Sequence, residues 1–214
     1  MTNGITLEVC IENASRLEEL AEKGADRVEL NDNMAESGTT VSYGVAEYAI
    51  KRCHTSGIKV VSMIRPRGGN FVYSDYELSI MLKDIEVLHS LGTDGIVFGC
   101  LTSTGSLDRE KTFRLIRSGK ERNIDIVFHM AFDHINYDEQ LENLRWLADN
   151  GVTRILTHGS ADQSIPIQNN YKRLKEYIAL EKIEILPGGG VTKDNFREIC
   201  AELGVNQAHG TRIL

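Results

Sequence analysis

The chain has 214 residues, 41% of them hydrophobic and 26% charged, enough apolar material for one packed domain over 1–214 and too much for a disordered chain. Its net charge of −7, with basic residues scattered among acidic ones, speaks against a nucleic-acid binder, and no apolar run is long enough for a membrane helix. The opening M-T-N-G-I-T-L-E-V-C lacks the basic start and apolar run of a secretion signal, and Cys10, Cys53, Cys100 and Cys200 form no C-x-x-C. A cytoplasmic protein with reduced thiols is expected.

Eight short apolar runs read as strands: Ile5 to Ile11, Asp26 to Asn31, Lys59 to Arg65, Gly95 to Leu101, Asp125 to Phe132, Arg154 to His158, Ile183 to Pro187 and Gln207 to Ile213. Amphipathic stretches separate them. Asn13 or Ser15 offers a cap for the first helix, Ser74 or Asp75 for the third, Asp138 for the fifth and Thr192 for the seventh. The segments E-K-G-A-D-R-V-E-L-N, S-L-G-T-D-G-I-V-F-G and D-N-G-V-T-R-I-L-T-H share a helix-ending glycine, a polar residue two positions later and then an apolar strand, and E-L-G-V-N-Q-A-H-G-T is a weaker copy. One helix-to-strand turn thus recurs in every second unit. Strict alternation with such recurrence favours a TIM-type (β/α)8 barrel over a doubly wound open sheet.

The repeat carries register between strands. Glu29, Val97, Leu156 and His209 are expected to share one orientation, with Asn31, Gly99, His158 and Thr211 nearer the carboxyl-terminal mouth. Cys10, Met63, His129 and Gly188 form a tier on the odd strands, with Glu8 beneath Cys10 and Arg65 above Met63. The sequence stops just after the eighth strand, so the eighth helix is absent or replaced. An uncovered apolar patch would then need a second subunit, an irregular segment or further chain, and a homo-oligomer is expected.

Glu8 and Glu29 are charged residues inside apolar strands, where burial requires a partner. On neighbouring strands facing inward they would form an acid/base pair with at least one raised pKa, or else each would pair with an interior cation. His129, in F-H-M-A-F-D with Asp133 four residues on, is placed at a strand end for general-base work or metal ligation, as is His209 in A-H-G-T-R. Asp133, His158 and Asn31 are further candidates for contact with a ligand. In M-I-R-P-R-G-G, Pro66 stops the third strand and leaves Arg65 and Arg67 at its end, either facing an anion or pairing with nearby carboxylates. Gly188, Gly189 and Gly190 follow the seventh strand, where barrels commonly hold phosphate, and the H-G-T at 209 to 211 adds the second loop. A tight turn explains the same glycines without a ligand.

The run from Met63 to Tyr76, M-I-R-P-R-G-G-N-F-V-Y-S-D-Y, closely resembles the signature of the CutC family, named for copper homeostasis. Further matching pieces are L-E-V-C from 7, G-A-D-R-V-E-L from 24, S-G-T-T from 37, D-G-I-V-F-G from 94, F-H-M-A-F-D from 128, R-I-L-T from 154 and P-G-G-G from 187. The resemblance implies a TIM-type barrel with a cytoplasmic role in copper homeostasis, and Cu(I) as the ion bound, with no organic cofactor. Cys10 is the thiol suited to that ion, within approach of His209 if the barrel closes, or else a small buried hydrophobe that needs no metal. Relatives commonly read E-L-C in the second strand where this chain has Asn31, and F-H-R-A-F-D where it has Met130. No cluster of Cys or Met is visible. The residues by themselves equally suit a barrel enzyme acting by acid/base chemistry on a small anionic or phosphorylated substrate, with Glu8, Glu29, Arg65, His129 and His209 in the catalytic roles.

Overall fold

A computed structural model describes residues 4–214. The β-branched runs form eight strands: β1 (Thr6–Glu12), β2 (Arg27–Asn31), β3 (Lys59–Met63), β4 (Gly95–Phe98), β5 (Asp125–Phe128), β6 (Arg154–Thr157), β7 (Glu184–Pro187) and β8 (Gln207–Gly210). Seven helices alternate with them among the described residues: α1 (Leu17–Lys23), α2 (Tyr43–Thr55), α3 (Asp75–Ser90), α4 (Arg109–Glu121), α5 (Gln140–Asn150), α6 (Tyr171–Ile178) and α7 (Phe196–Leu203). Every pairing is parallel, in the order β7-β6-β5-β4-β3-β2-β1-β8. Between β7 and β8 the ring is joined by the Thr192–Arg212 bridge, and Gln207 Nε2 donates to Glu184 Oε2 at 3.0 Å. The architecture is a nearly closed TIM-type barrel, as the alternation predicts.

The repeated glycine has a physical cause. Gly24, Gly151 and Gly204 end α1, α5 and α7 with φ of 71°, 102° and 70°, a left-handed cap that returns the chain to the next strand. Ser74 caps α3 in a full capping box with Glu77. Other starts differ from the sequence reading. Ser15 donates to Glu12 O and Asn13 takes a left-handed turn, so α1 begins later, at Leu17. Asp138 lies in a 3-10 turn ahead of α5, and Thr192 in a turn ahead of α7.

Several strands are shorter than expected because side chains take over the ladder. Arg65 N–H donates to Thr40 Oγ1 at 2.9 Å instead of to a strand, and Pro66 has no N–H to offer. His129 Nδ1 accepts from Ala131 N–H at 3.1 Å, starting a 3-10 turn over Met130–His134 where a strand was predicted. β8 stops at Gly210 rather than Ile213.

No uncovered apolar patch lies over β8 and β1 among the described residues. The outward residues of β1, Leu7, Val9 and Ile11, are 1%, 0% and 2% exposed, in one cluster with Leu17 and Leu20 of α1, Phe196 and Ile199 of α7, and Ile213. β8 turns only Ala208 and Gly210 outward, so α1 and α7 close over it. A Cβ at Gly210 would lie 2.4 Å from Val191 O, so this approach requires glycine. The reason for expecting a second subunit therefore falls away.

Inside the barrel, Val61, Met63, Val97, Val127, Leu156 and Leu186 form an apolar layer on the β3 to β7 side. The β8, β1 and β2 side is polar. There Arg27, Glu8, His209, Glu29, Cys10 and Asn31 climb toward the carboxyl-terminal mouth, all buried.

Candidate functional site

The mouth opens into a cavity of about 910 Å³ lined by residues from several strand ends, among them Cys10, Glu29, Met34, Arg65, His129 and His209. This is where barrel enzymes keep their chemistry.

On its β1 side the arrangement starts from a buried ion pair. Glu8, 1% exposed, accepts from Arg27 Nε, and its other oxygen lies 2.8 Å from His209 Nδ1. Burial would raise the Glu8 pKa, but the hydrogen bond from His209 and the Arg27 charge outweigh it and bring it to about 2. Glu8 is thus a charged anchor, paired as an interior carboxylate must be, rather than the raised acid a repelling glutamate pair would give. Burial lowers the His209 pKa, yet the Glu29 and Glu8 charges and the Glu8 hydrogen bond raise it overall. His209 Nε2 is left facing Glu29 Oε2 at 4.0 Å. Such an imidazole can carry a proton or, once deprotonated at Nε2, bind a metal.

Cys10 lies directly beside Glu29 in the sheet, and its Sγ is 3.4 Å from Glu29 Oε2. Burial, and then the charge and hydrogen bond of Glu29, push the thiol well above its ordinary pKa, so Cys10 holds its proton. Asn31 Nδ2 donates to Glu29 Oε2 at 2.8 Å and reaches Cys10 Sγ at 3.4 Å. Ligand atoms of Cys10, Glu29 and His209 all lie within 4.8 Å of one another, close enough to share one ion.

Met34 completes this corner, and no sequence signal singled it out. After β2 the chain folds back through the Asp32–Thr39 bridge, and a 3-10 turn over Met34–Glu36 hangs over the mouth. Met34 N–H donates to Glu12 Oε1 at 3.1 Å, and its Sδ is 3.8 Å from Cys10 Sγ. Two sulfurs that the linear sequence keeps apart are therefore neighbours in space.

Arg65 is 3% exposed and lines the cavity, but its guanidinium points mainly into the protein. It donates to the carbonyls of Glu36, Gly38 and Gly69 and thereby pins the Met34 loop to the turn after β3. Only its Nε lacks a partner. Arg67 pairs with Glu77 and with loop carbonyls and does not line the cavity. The arginine-bearing turn is thus mostly a structural clamp.

His129 is held neutral: burial and the Arg65 charge lower its pKa to about 3. With Nδ1 accepting from Ala131, the proton sits on Nε2, which has no protein partner. Phe71 packs against this ring at 5.0 Å between centroids and lies 5.1 Å from the Arg65 guanidinium carbon.

Asp133 and His158 are buried outside this cavity. Asp133 accepts from Thr157 Oγ1, and from the N–H groups of His158 and Gly159 at 2.9 and 3.1 Å. His158 Nδ1 lies 3.2 and 3.1 Å from the carbonyls of Gly188 and Gly189. Both brace the loops after β6 and β7. Gly189 and Gly190 line the cavity, whereas Gly188 does not.

The donors at the Cys10 corner could hold a metal ion, since sulfur–metal bonds of about 2.3 Å fit ligand atoms roughly 4 Å apart. All four cysteines are free and buried, as expected of reduced thiols.

Comparison with known proteins follows the same lines. The CutC family model matches residues 5–214. The family protein CutC of Enterococcus faecalis is 46% identical over 209 residues, covering 97% of this chain and 99% of that protein. The copper homeostasis protein cutC homolog of Homo sapiens is 37% identical, over 97% of this chain and 73% of its own. The CutC crystal structure from Streptococcus agalactiae superposes with a TM-score of 0.93 at 47% identity, covering 98% of this chain and all of that one (100%). No helix among the described residues is long and apolar enough to cross a membrane.

Proposed function

The chain belongs to the CutC family, and from that membership we propose that it serves copper homeostasis by binding Cu(I) at the barrel mouth, in the reducing cytoplasm. One observation carries the reading: Cys10 Sγ and Met34 Sδ stand 3.8 Å apart at a cavity wall that also holds His209. Cys10 as thiolate, Met34 as thioether and His209 through Nε2 would hold the ion. Their combined charge of −1 neutralises it. Glu8 keeps the His209 ring oriented from its Nδ1 side, as outer partners of metal-binding histidines do. Glu29 is the nearest acceptor for the thiol proton.

The test is a titration of the reduced protein against a chromophoric Cu(I) chelator. Wild type should withdraw one equivalent. Cys10→Ser should abolish this, and Met34→Leu should weaken it by about tenfold or more. Affinity should rise with pH, because Cys10 and His209 both give up protons on binding. Wild-type affinity in Cys10→Ser would sink the proposal.

A further inference from the structure

The loop after β7 and the turn after β8 meet on one side of the mouth, where Lys193 N–H donates to Arg212 O at 2.9 Å. Gly188 N–H is taken by Thr157 O, and Thr192 N–H by Asn195 Oδ1 at 2.8 Å. Between them the N–H groups of Gly189, Gly190 and Val191 have no acceptor among the described residues, nor has that of Thr211. Arg212 lines the same arc, is exposed, and takes part in none of the ion pairs among the described residues. The arc contributes no carboxylate to the cavity. Free N–H groups on the same stretch of cavity wall as an unpaired guanidinium can hold an anion, and phosphate is the anion that barrels hold at this place.

A second, independent observation lies elsewhere on the cavity wall. Glu29 Oε1, Arg65 Nε and His129 Nε2 are buried polar atoms without a protein partner, and all three residues line the cavity. Buried polar groups are rarely left so. The cavity, at about 910 Å³, is also of a size that takes a small molecule, far more than one ion needs.

We propose that the mouth binds a small phosphomonoester, with its phosphate on the N–H groups of Gly189, Gly190, Val191 and Thr211 and on the Arg212 guanidinium, and its hydroxyl or carbonyl groups toward His129 and Glu29. Phe71, tilted against His129 and lying beneath the Arg65 guanidinium, borders the organic end. The phosphate arc lies apart from the Cys10 and Met34 sulfurs in the same cavity, and Glu29 is the residue that both sites use.

Thermal shift and calorimetry on the full reduced chain test it, using inorganic phosphate, triose and pentose phosphates, and the corresponding unphosphorylated sugars at matched ionic strength. At least one sugar phosphate should stabilise saturably and bind more tightly than inorganic phosphate, while its parent sugar has no effect. Arg212→Ala should raise the dissociation constant about tenfold. Because Arg212 is exposed, the variant should keep its fold and its Cu(I) binding. Cys10→Ser should show the converse, losing Cu(I) while keeping the phosphate response. Absence of any saturable phosphate effect, sugar phosphates no tighter than phosphate itself, or an Arg212→Ala variant that binds like wild type would each overturn the proposal.

Discussion

Replacing Glu8 with glutamine removes a buried charge while keeping the shape, and its cost should depend on pH in a way that reports both neighbours. In the native protein the Glu8 pKa is brought to about 2 from an ordinary 4.5, which corresponds to roughly 3 kcal/mol of stability. A depressed carboxylate contributes that stability above 4.5 and loses it as pH falls toward 2. His209 runs the other way. Its pKa is raised above the ordinary 6.5 in part by Glu8, so its share is complete below 6.5 and fades as pH rises through the folded value. The wild-type minus Glu8→Gln difference should therefore peak between about pH 4.5 and 6.5, where Glu8 is ionised and His209 protonated. A peak of about 3 kcal/mol is expected, with a smaller residue at high pH from Arg27, which stays charged. Urea denaturation of both proteins at pH 4, 5.5 and 8.5 measures it, and taking the difference cancels the other carboxylates. A difference that stays flat across those three values would refute the linked Arg27–Glu8–His209 unit.

Three further changes probe the loops and the metal corner. Asn31→Cys places a second thiol near Cys10, since Asn31 Nδ2 already reaches Cys10 Sγ at 3.4 Å; Cu(I) affinity by chelator competition should rise at least about tenfold, and no gain would argue against a sulfur-based site. Arg65→Ala strips the carbonyls of Glu36, Gly38 and Gly69 of their common donor and should cost about 3 kcal/mol, with faster amide exchange confined to residues 34–38 and 68–71. Global rather than local exchange would place its role elsewhere. Asp133→Asn offers an NH₂ to one set of groups that themselves donate, from Thr157, His158 and Gly159, and a loss of about 2 kcal/mol in chemical denaturation is expected. Unchanged stability would contradict the bracing role.

Much of the barrel was legible because its signals are local. The helix-ending glycines need a left-handed backbone wherever they occur, so Gly24, Gly151 and Gly204 announced their turns from sequence alone. Glu8, Glu29 and His209 also stood out, because a charged or titratable residue inside an apolar strand has few reasons to be there. What stayed hidden depends on contacts between distant loops. Arg65 suggested an anion site, but its partners are carbonyls some 27 to 29 residues upstream, and backbone acceptors carry no sequence signature. Likewise F-H-M-A-F-D promised a strand reaching Phe132, whereas the His129 side chain captures Ala131 N–H and turns the chain, delivering Asp133 to the β6 loop instead of the cavity.

Met34 shows how a proposed donor can lie outside any recognisable motif. A thiol at the end of the second strand would share the face of Cys10, one step above its ladder partner Glu29, and the E-L-C pattern of relatives would reveal it. Here Asn31 occupies that place and donates to Glu29 Oε2 and Cys10 Sγ together, so the carboxylate is held against the thiol. The second sulfur comes instead from a loop that Arg65 and Glu12 tie down over the mouth. Donor position thereby depends on a clamp several residues away, and the thiol proton has its acceptor already in contact. If so, loosening the clamp in Arg65→Ala should weaken Cu(I) binding in wild type and leave Met34→Leu unaffected, because only the former depends on where the loop puts its sulfur. An equal loss in both backgrounds would mean that Arg65 acts on the metal corner by some route other than Met34.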